Sequence, residues 1–102
     1  MLVNRRTFVT KPGKSKEVVE LLVKVFERNP WPGPMRIYKA NVGPFDHVVV
    51  DLETESLATY DQDHAQWFSN AIPEEAEAFQ ALIEPHGTNE VWAIAYEKVS
   101  NG

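Results

Sequence analysis

The sequence contains no cysteine among its 102 residues. This absence excludes disulfide bonds, metal sites built from thiolates and cysteine nucleophiles. No segment approaches the ~20 apolar residues of a membrane-spanning helix, and the first residues lack the long apolar stretch of a signal peptide. A length of 102 residues is typical of one domain. We therefore expect a single cytoplasmic domain over residues 1–102 that has no membrane partner.

Positive charge is scarce and is not gathered into runs. The chain has 10 Lys and Arg residues against 15 Asp and Glu residues, which gives a net charge of −5. Such a surface would repel the phosphates of a nucleic acid, so no nucleic-acid partner is expected. The sequence also lacks a glycine-rich phosphate loop and the nucleophile elbow of serine hydrolases. Apolar residues, in contrast, make up 43% of the chain, which is enough for one folded core.

Residue spacing divides the chain into strands and helices in the order β-α-β-β-α-β. The predicted elements are a strand at 2–10, a helix at 15–28 capped by Ser15, strands at 35–40 and 45–54, a helix from Ser56 that is interrupted at 70–72 and resumes at Pro73, a helix end at 85–87, a strand at 88–99 and a polar tail at 100–102. Trp31, in a proline-rich loop, is expected to cover a local apolar patch. This order of elements is the ferredoxin-like α+β pattern, a four-stranded antiparallel sheet with the helices on one face.

The other face of this sheet needs a cover as well. The alternating sets of the third strand are Val48, Val50 and Leu52 on the helix side, and Phe45, His47, Val49, Asp51 and Glu53 on the open side. On the last strand, either Trp92, Ile94 and Tyr96 or the smaller set faces away from the helices. A sheet face that mixes large apolar and charged residues is typical of subunit contacts. The sequence therefore predicts a homodimer.

Several turns and strand ends resemble the NIPSNAP family. These segments are Arg6-Thr7-Phe8, Lys11-Pro12-Gly13-Lys14, Val42-Gly43-Pro44-Phe45-Asp46-His47-Val48-Val49 and Glu55-Ser56-Leu57-Ala58-Thr59-Tyr60. The family belongs to the dimeric α/β-barrel superfamily, together with the antibiotic-biosynthesis monooxygenases. The resemblance implies a dimeric α/β barrel with a small-molecule site between the helices and the sheet. Related haem-degrading barrels carry a tryptophan where this chain has Thr54, so no haem or other cofactor is expected.

The resemblance and the helical spacing together suggest one site. The resemblance implies that Arg6 points into the space under the helices, together with Asn4 and Phe8. Independently, spacing places Tyr60, His64 and Trp67 on one helix stripe. A histidine can remove a proton from a phenol or enol, an arginine can hold the resulting anion, and aromatic walls can stack on a flat ring. The candidate catalytic residues are His64 and Arg6, and the candidate substrate-binding residues are Tyr60, Trp67, Asn4 and Phe8.

Structural roles remain open for these polar residues. An inward histidine is often a structural group with a backbone partner, and an inward arginine is often paired with a buried acid. On the open face, His47, Asp51 and Glu53 could bind a metal. An interface network with Arg5, Arg36 or Lys39 suits them better, so no metal site is predicted.

Two functional hypotheses follow from these observations. The first is a cofactor-independent monooxygenase or a cyclase/isomerase acting on an aromatic or polyketide-like compound. The second is a non-catalytic dimeric interaction protein whose core is filled with side chains. The sequence alone does not decide whether the protein is an enzyme.

Overall fold

The computed structural model describes residues 1–98. Its elements are β1 (Leu2–Thr10), α1 (Ser15–Arg28), β2 (Met35–Lys39), β3 (His47–Thr54), α2 (Leu57–Ser69), α3 (Pro73–Leu82) and β4 (Ile83–Ala93). The strands form one antiparallel sheet in the order β2-β3-β1-β4. The predicted ferredoxin-like arrangement is confirmed.

The ends of the helices follow from local chemistry. The hydroxyl of Ser56 accepts a hydrogen bond from the backbone N–H of Thr59 at 3.2 Å, which caps α2 as predicted. Pro73 opens α3, where its fixed φ suits the first turn. The predicted cap of α1 is wrong, because Lys14 holds the N-cap position. Ser15 lies within the helix and its Oγ is 3.2 Å from Thr10 Oγ1.

The third strand begins two residues later than predicted. Asp46 has a φ of 60°, a left-handed conformation that ends regular strand geometry. Its backbone carbonyl accepts a hydrogen bond from the N–H of Thr10 at 2.7 Å. Phe45 therefore precedes the strand and is 87% exposed, so its predicted place on the open sheet face is wrong.

The last strand differs most from the prediction. It begins at Ile83 and passes through residues 85–87, which were expected to end the helix, and it stops at Ala93. Pro85 is tolerated because β4 is an edge strand. A Cβ on Gly87 would lie 2.4 Å from the carbonyl oxygen of Thr7, so only glycine lets the two strands approach this closely. Val99 and the polar tail lie outside the described residues.

The core lies between the helices and β3. Its buried members are Val18, Leu22, Trp31, Val48, Val50 and Leu52. The predicted division of β3 into two faces is confirmed, since Val48, Val50 and Leu52 are buried on the helix side. Trp31 covers the core as expected, and its Nε1 donates a hydrogen bond to the carbonyl of Glu53 at 2.9 Å.

Strand register settles the faces that alternation left open. Asn4, Arg6 and Phe8 pair with Leu52, Val50 and Val48, and therefore share the helix face with them. Arg5 lies on the open face, where it makes two hydrogen bonds of 2.9 and 2.8 Å to the carboxylate of Asp51. Trp92 pairs with Val3, also on the open face.

None of the helices formed by residues 1–98 has the length and apolar character needed to cross a membrane.

Candidate functional site

A cavity of about 280 Å³ lies between the helices and the sheet, beside the packed core. Most of its wall is apolar and is contributed by β1, β3 and all three helices. The charged or titratable side chains that reach it are Arg6, His64, Arg28 and Glu75. Its volume is close to the lower limit of ~300 Å³ for small-molecule pockets.

Arg6 is held in place by neutral partners. Its Nε donates to Asn4 Oδ1 at 3.1 Å, and one terminal nitrogen donates to the hydroxyl of Tyr60 at 3.0 Å. The Tyr60 hydroxyl in turn donates to Asn4 Oδ1 at 3.0 Å. Asn4 is itself fixed by donation from its amide to the carbonyl of Glu90 at 3.0 Å. The guanidinium is therefore oriented by a network that carries no negative charge.

No carboxylate neutralises Arg6 within residues 1–98. The ion pairs there join Arg5 to Asp51, Lys14 to Glu17 and Arg28 to Glu75. The structural alternative of an arginine paired with a buried acid therefore describes Arg5 and not Arg6. The guanidinium carbon of Arg6 lies 6.0 Å from the centre of the Phe68 ring, which offers only a weak cation–π attraction. A partly buried cation beside an apolar cavity attracts an anion.

The imidazole of His64 contacts the same guanidinium. A terminal nitrogen of Arg6 is hydrogen-bonded to His64 Nε2. Since a guanidinium only donates, Nε2 must be the acceptor, and the ring is neutral with its proton on Nδ1. Burial lowers the pKa of His64 below its usual range, the charge of Arg6 lowers it further, and Asp61 opposes both effects. His64 is therefore an unprotonated base at neutral pH.

Aromatic rings surround this base. The ring centres of Tyr60 and Phe68 lie 5.3 and 4.5 Å from that of His64. Trp67 is fixed by its Nε1, which donates to the carbonyl of Asn29 at 2.6 Å, and by stacking on Phe26 at 5.0 Å.

The candidate residues fall into two groups. Arg6, Phe8, His64 and Trp67 line the cavity. Asn4 and Tyr60 do not line it, and instead accept the hydrogen bonds that orient Arg6.

Among the cavity residues that were not predicted to belong to the site, Phe68, Arg28 and Glu75 bear most on its chemistry. Phe68 lies four residues after His64 on the inward stripe, so helical spacing could have identified it. Arg28 and Glu75 are 47 residues apart in the chain, so no local sequence pattern could have predicted their ion pair.

Two of the polar groups on the open face, those of Asp51 and His47, have partners within the chain. Asp51 binds Arg5, and His47 Nδ1 lies 2.8 Å from the carbonyl oxygen of Phe45. Across the described part of the chain, no three His, Asp or Glu side chains gather in a way that could hold a metal ion.

No family model matches the sequence, and no curated protein matches it either. Solved structures do match. An uncharacterized NIPSNAP domain protein from Burkholderia xenovorans is 15% identical, with 98% of this chain and 100% of that chain covered at a TM-score of 0.75. A NIPSNAP family protein from Agrobacterium tumefaciens is 14% identical, with 94% and 88% covered at 0.72.

An antibiotic biosynthesis monooxygenase is also similar, at 19% identity with 94% of this chain and 100% of that chain covered, and a TM-score of 0.68. Identities this low establish a shared fold and nothing finer. The chain therefore has the fold of NIPSNAP domain proteins and of antibiotic biosynthesis monooxygenases, as the resemblance of its turns and strand ends predicted.

Proposed function

We propose that the protein is a cytoplasmic, single-domain homodimer that binds a small aromatic or polyketide-like compound and removes a proton from its phenol or enol group. One observation carries the proposal: Arg6, which no carboxylate neutralises within residues 1–98, meets the neutral His64 on the wall of the cavity. A base and an anion-binding group at the same point are what such a proton transfer needs.

The proton transfer uses both side chains. His64 Nε2 accepts the proton of the ligand, and the Arg6 N–H that occupied Nε2 turns to the oxygen that becomes negative. In a monooxygenase the bound anion can then react with molecular oxygen: one oxygen atom enters the ligand, the other leaves as water with two hydrogens of the ligand, and the ligand supplies the electrons. In a cyclase or isomerase the anion can instead react with a carbonyl of the same ligand. The likeness to an antibiotic biosynthesis monooxygenase favours the first course. The cavity argues against an interaction protein with a filled core.

The proton transfer can be tested with 4-nitrophenol, because its phenolate absorbs at longer wavelength than the phenol. We expect binding to lower the pKa of the probe by about one to three, since a nearby opposite charge stabilises the ionised form. Arg6→Gln should abolish the effect. Absorbance titrations of the free and the bound probe measure both pKa values.

Lys24→Gln is the matched control, because it removes one positive charge from an exposed residue that does not line the cavity. It should leave the pKa of the bound probe as in the parent protein. The proposal would be contradicted if 4-nitrophenol binds with an unaltered pKa, or if its pKa falls as much in Arg6→Gln as in the parent protein.

The homodimer is proposed from the open sheet face. Trp92 and Tyr38 lie on it and are 56% and 42% exposed. Arg5 and Asp51 form an ion pair beside them. This mixture of exposed aromatic and neutralised charged groups is typical of subunit contacts.

We expect light scattering at micromolar concentration to report a dimer, and Trp92→Glu to report a monomer, because a charge at the contact would be buried without a partner. Phe45→Glu provides the comparison, since Phe45 is more exposed but lies off the sheet face. A parent protein that is monomeric, or a Trp92→Glu variant that stays dimeric, would refute this contact.

A further inference from the structure

A second pair of charged residues reaches the cavity away from Arg6. Arg28, in the last turn of α1, meets Glu75, in the first turn of α3, with a terminal nitrogen 2.5 Å from Glu75 Oε1. The other terminal nitrogen of Arg28 lies 3.4 Å from the carbonyl oxygen of Asn70. The Glu75 side chain is only 14% exposed and that of Arg28 is 35% exposed. The pair therefore joins α1 to α3 where both border the cavity.

The Arg6–His64 contact and the Arg28–Glu75 pair lie at different positions along α2. Asn70, which binds Arg28, follows His64 by six residues, a rise of about 9 Å in an α-helix. Trp67 and Phe68 lie between them in the chain and line the cavity, as does Ile72 just beyond. The cavity thus has an anion-binding end at Arg6, an apolar middle and a neutralised ion pair at the other end.

We infer that the Arg28–Glu75 pair fixes the length of the ligand that the cavity accepts. This inference rests on the proposed function, which places the acidic group of the ligand at Arg6. The ligand is then a weakly acidic amphiphile, whose apolar body runs past Phe68 toward α3 and stops at the ion pair. A longer body must desolvate or separate two partly buried charges, which costs more than an added methylene contributes.

A series of 4-alkylphenols with chains of one to nine carbons tests the inference by calorimetric titration. In the parent protein, affinity should rise about fourfold per methylene while the chain extends through the apolar middle, and then stop rising or fall. Glu75→Ala shortens the side chain at that end and releases Arg28, whose side chain is already 35% exposed and can turn to solvent. The longest alkyl chain that still gains affinity should therefore be longer in this variant. The first phenol beyond the parent limit should bind about tenfold more tightly to this variant.

The matched control is Glu77→Ala, which removes an exposed carboxylate of the same helix outside the cavity. In this variant, affinity should stop rising at the same alkyl chain length as in the parent protein. Ala76→Leu gives an opposite effect without altering charge, because Ala76 lines the cavity and a larger side chain should move the limit to shorter chains. This variant decides the question if Glu75→Ala does not fold.

The series also separates the inference from the proposed function. If alkylphenols bind and Arg6→Gln weakens every member, the acidic group is at Arg6. An unaltered limit in Glu75→Ala, or in Ala76→Leu if the former does not fold, would then overturn the inference alone. If Arg6→Gln weakens none of them, the proposed function fails.

Discussion

Replacing Trp31 with alanine is expected to lower the free energy of unfolding by about 3–5 kcal/mol, the usual cost of removing a buried tryptophan. Trp31 is 6% exposed and belongs to the buried core with Leu52 and Val50. Its loss removes apolar contacts and leaves the carbonyl of Glu53 without its indole donor. Because small domains have about 5–15 kcal/mol of stability in total, urea denaturation should show a large fall in the midpoint.

Trp31→Phe separates the two contributions. It keeps an aromatic ring in the core and loses the 2.9 Å hydrogen bond to Glu53, so it should cost clearly less than Trp31→Ala. Both variants should be compared at one protein concentration, because formation of the proposed dimer would add to the apparent stability. A loss below about 1 kcal/mol in Trp31→Ala would mean that the loop does not cover the core as described.

The position of Trp31 over the core is one of the features of the fold that could be predicted from the sequence. Val48, Val50 and Leu52 recur at every second position, while the polar residues of β3 lie at the positions between or beside them together with Val49, and this period assigns the face of β3 directly. A large aromatic residue in a stiff loop next to such a strand has an apolar surface to cover. Both predictions rely on neighbours in the chain or on a strong period, and both are confirmed.

The start of β4 could not be read in the same way. The sequence around Pro85 and Gly87 has the composition of a turn, yet this segment pairs with β1. The pairing is between residues far apart in the chain. Gly87 is needed there because the backbone of Thr7 passes too close for a Cβ, and not because the chain turns. Only the partner strand reveals which role a glycine has.

In the candidate site, too, the relations between near neighbours in the chain could be predicted, and the contacts between distant residues could not. Helical spacing brought Tyr60, His64 and Trp67 to one stripe, because that relation is local. In β1 both alternating sets of residues mix polar and apolar side chains, so alternation does not distinguish Arg5 from Arg6. Strand register places Arg5 on the open face and Arg6 beside His64. The supporting role of Tyr60 likewise depends on contacts across 54 and 56 residues of chain.

His64→Ala should lower the rate of protein-dependent enolisation by about 10²–10⁴-fold, the usual contribution of a positioned general base. A suitable probe is 2-tetralone in D₂O, where loss of the α-hydrogen signal in proton NMR reports enolate formation. In the proposed reaction, His64 Nε2 takes the α-proton and Arg6 stabilises the enolate oxygen. His86→Ala is the control, since His86 is exposed on β4 and does not line the cavity. Equal rates in His64→Ala and the parent protein would exclude His64 as the base.

The pH dependence gives this prediction a signature that a structural histidine would not produce. Burial and the charge of Arg6 lower the pKa of His64, so the base is unprotonated at pH 7, and the rate should fall only as the pH drops below about 6.5, the ordinary value. Arg6→Met removes one of the two causes. The pKa of His64 should then rise toward 6.5 and the acidic limb should move to higher pH. The maximal rate should also fall, because the enolate loses its cation. An acidic limb at the same pH in both proteins would show that the titrating group is not His64 beside Arg6.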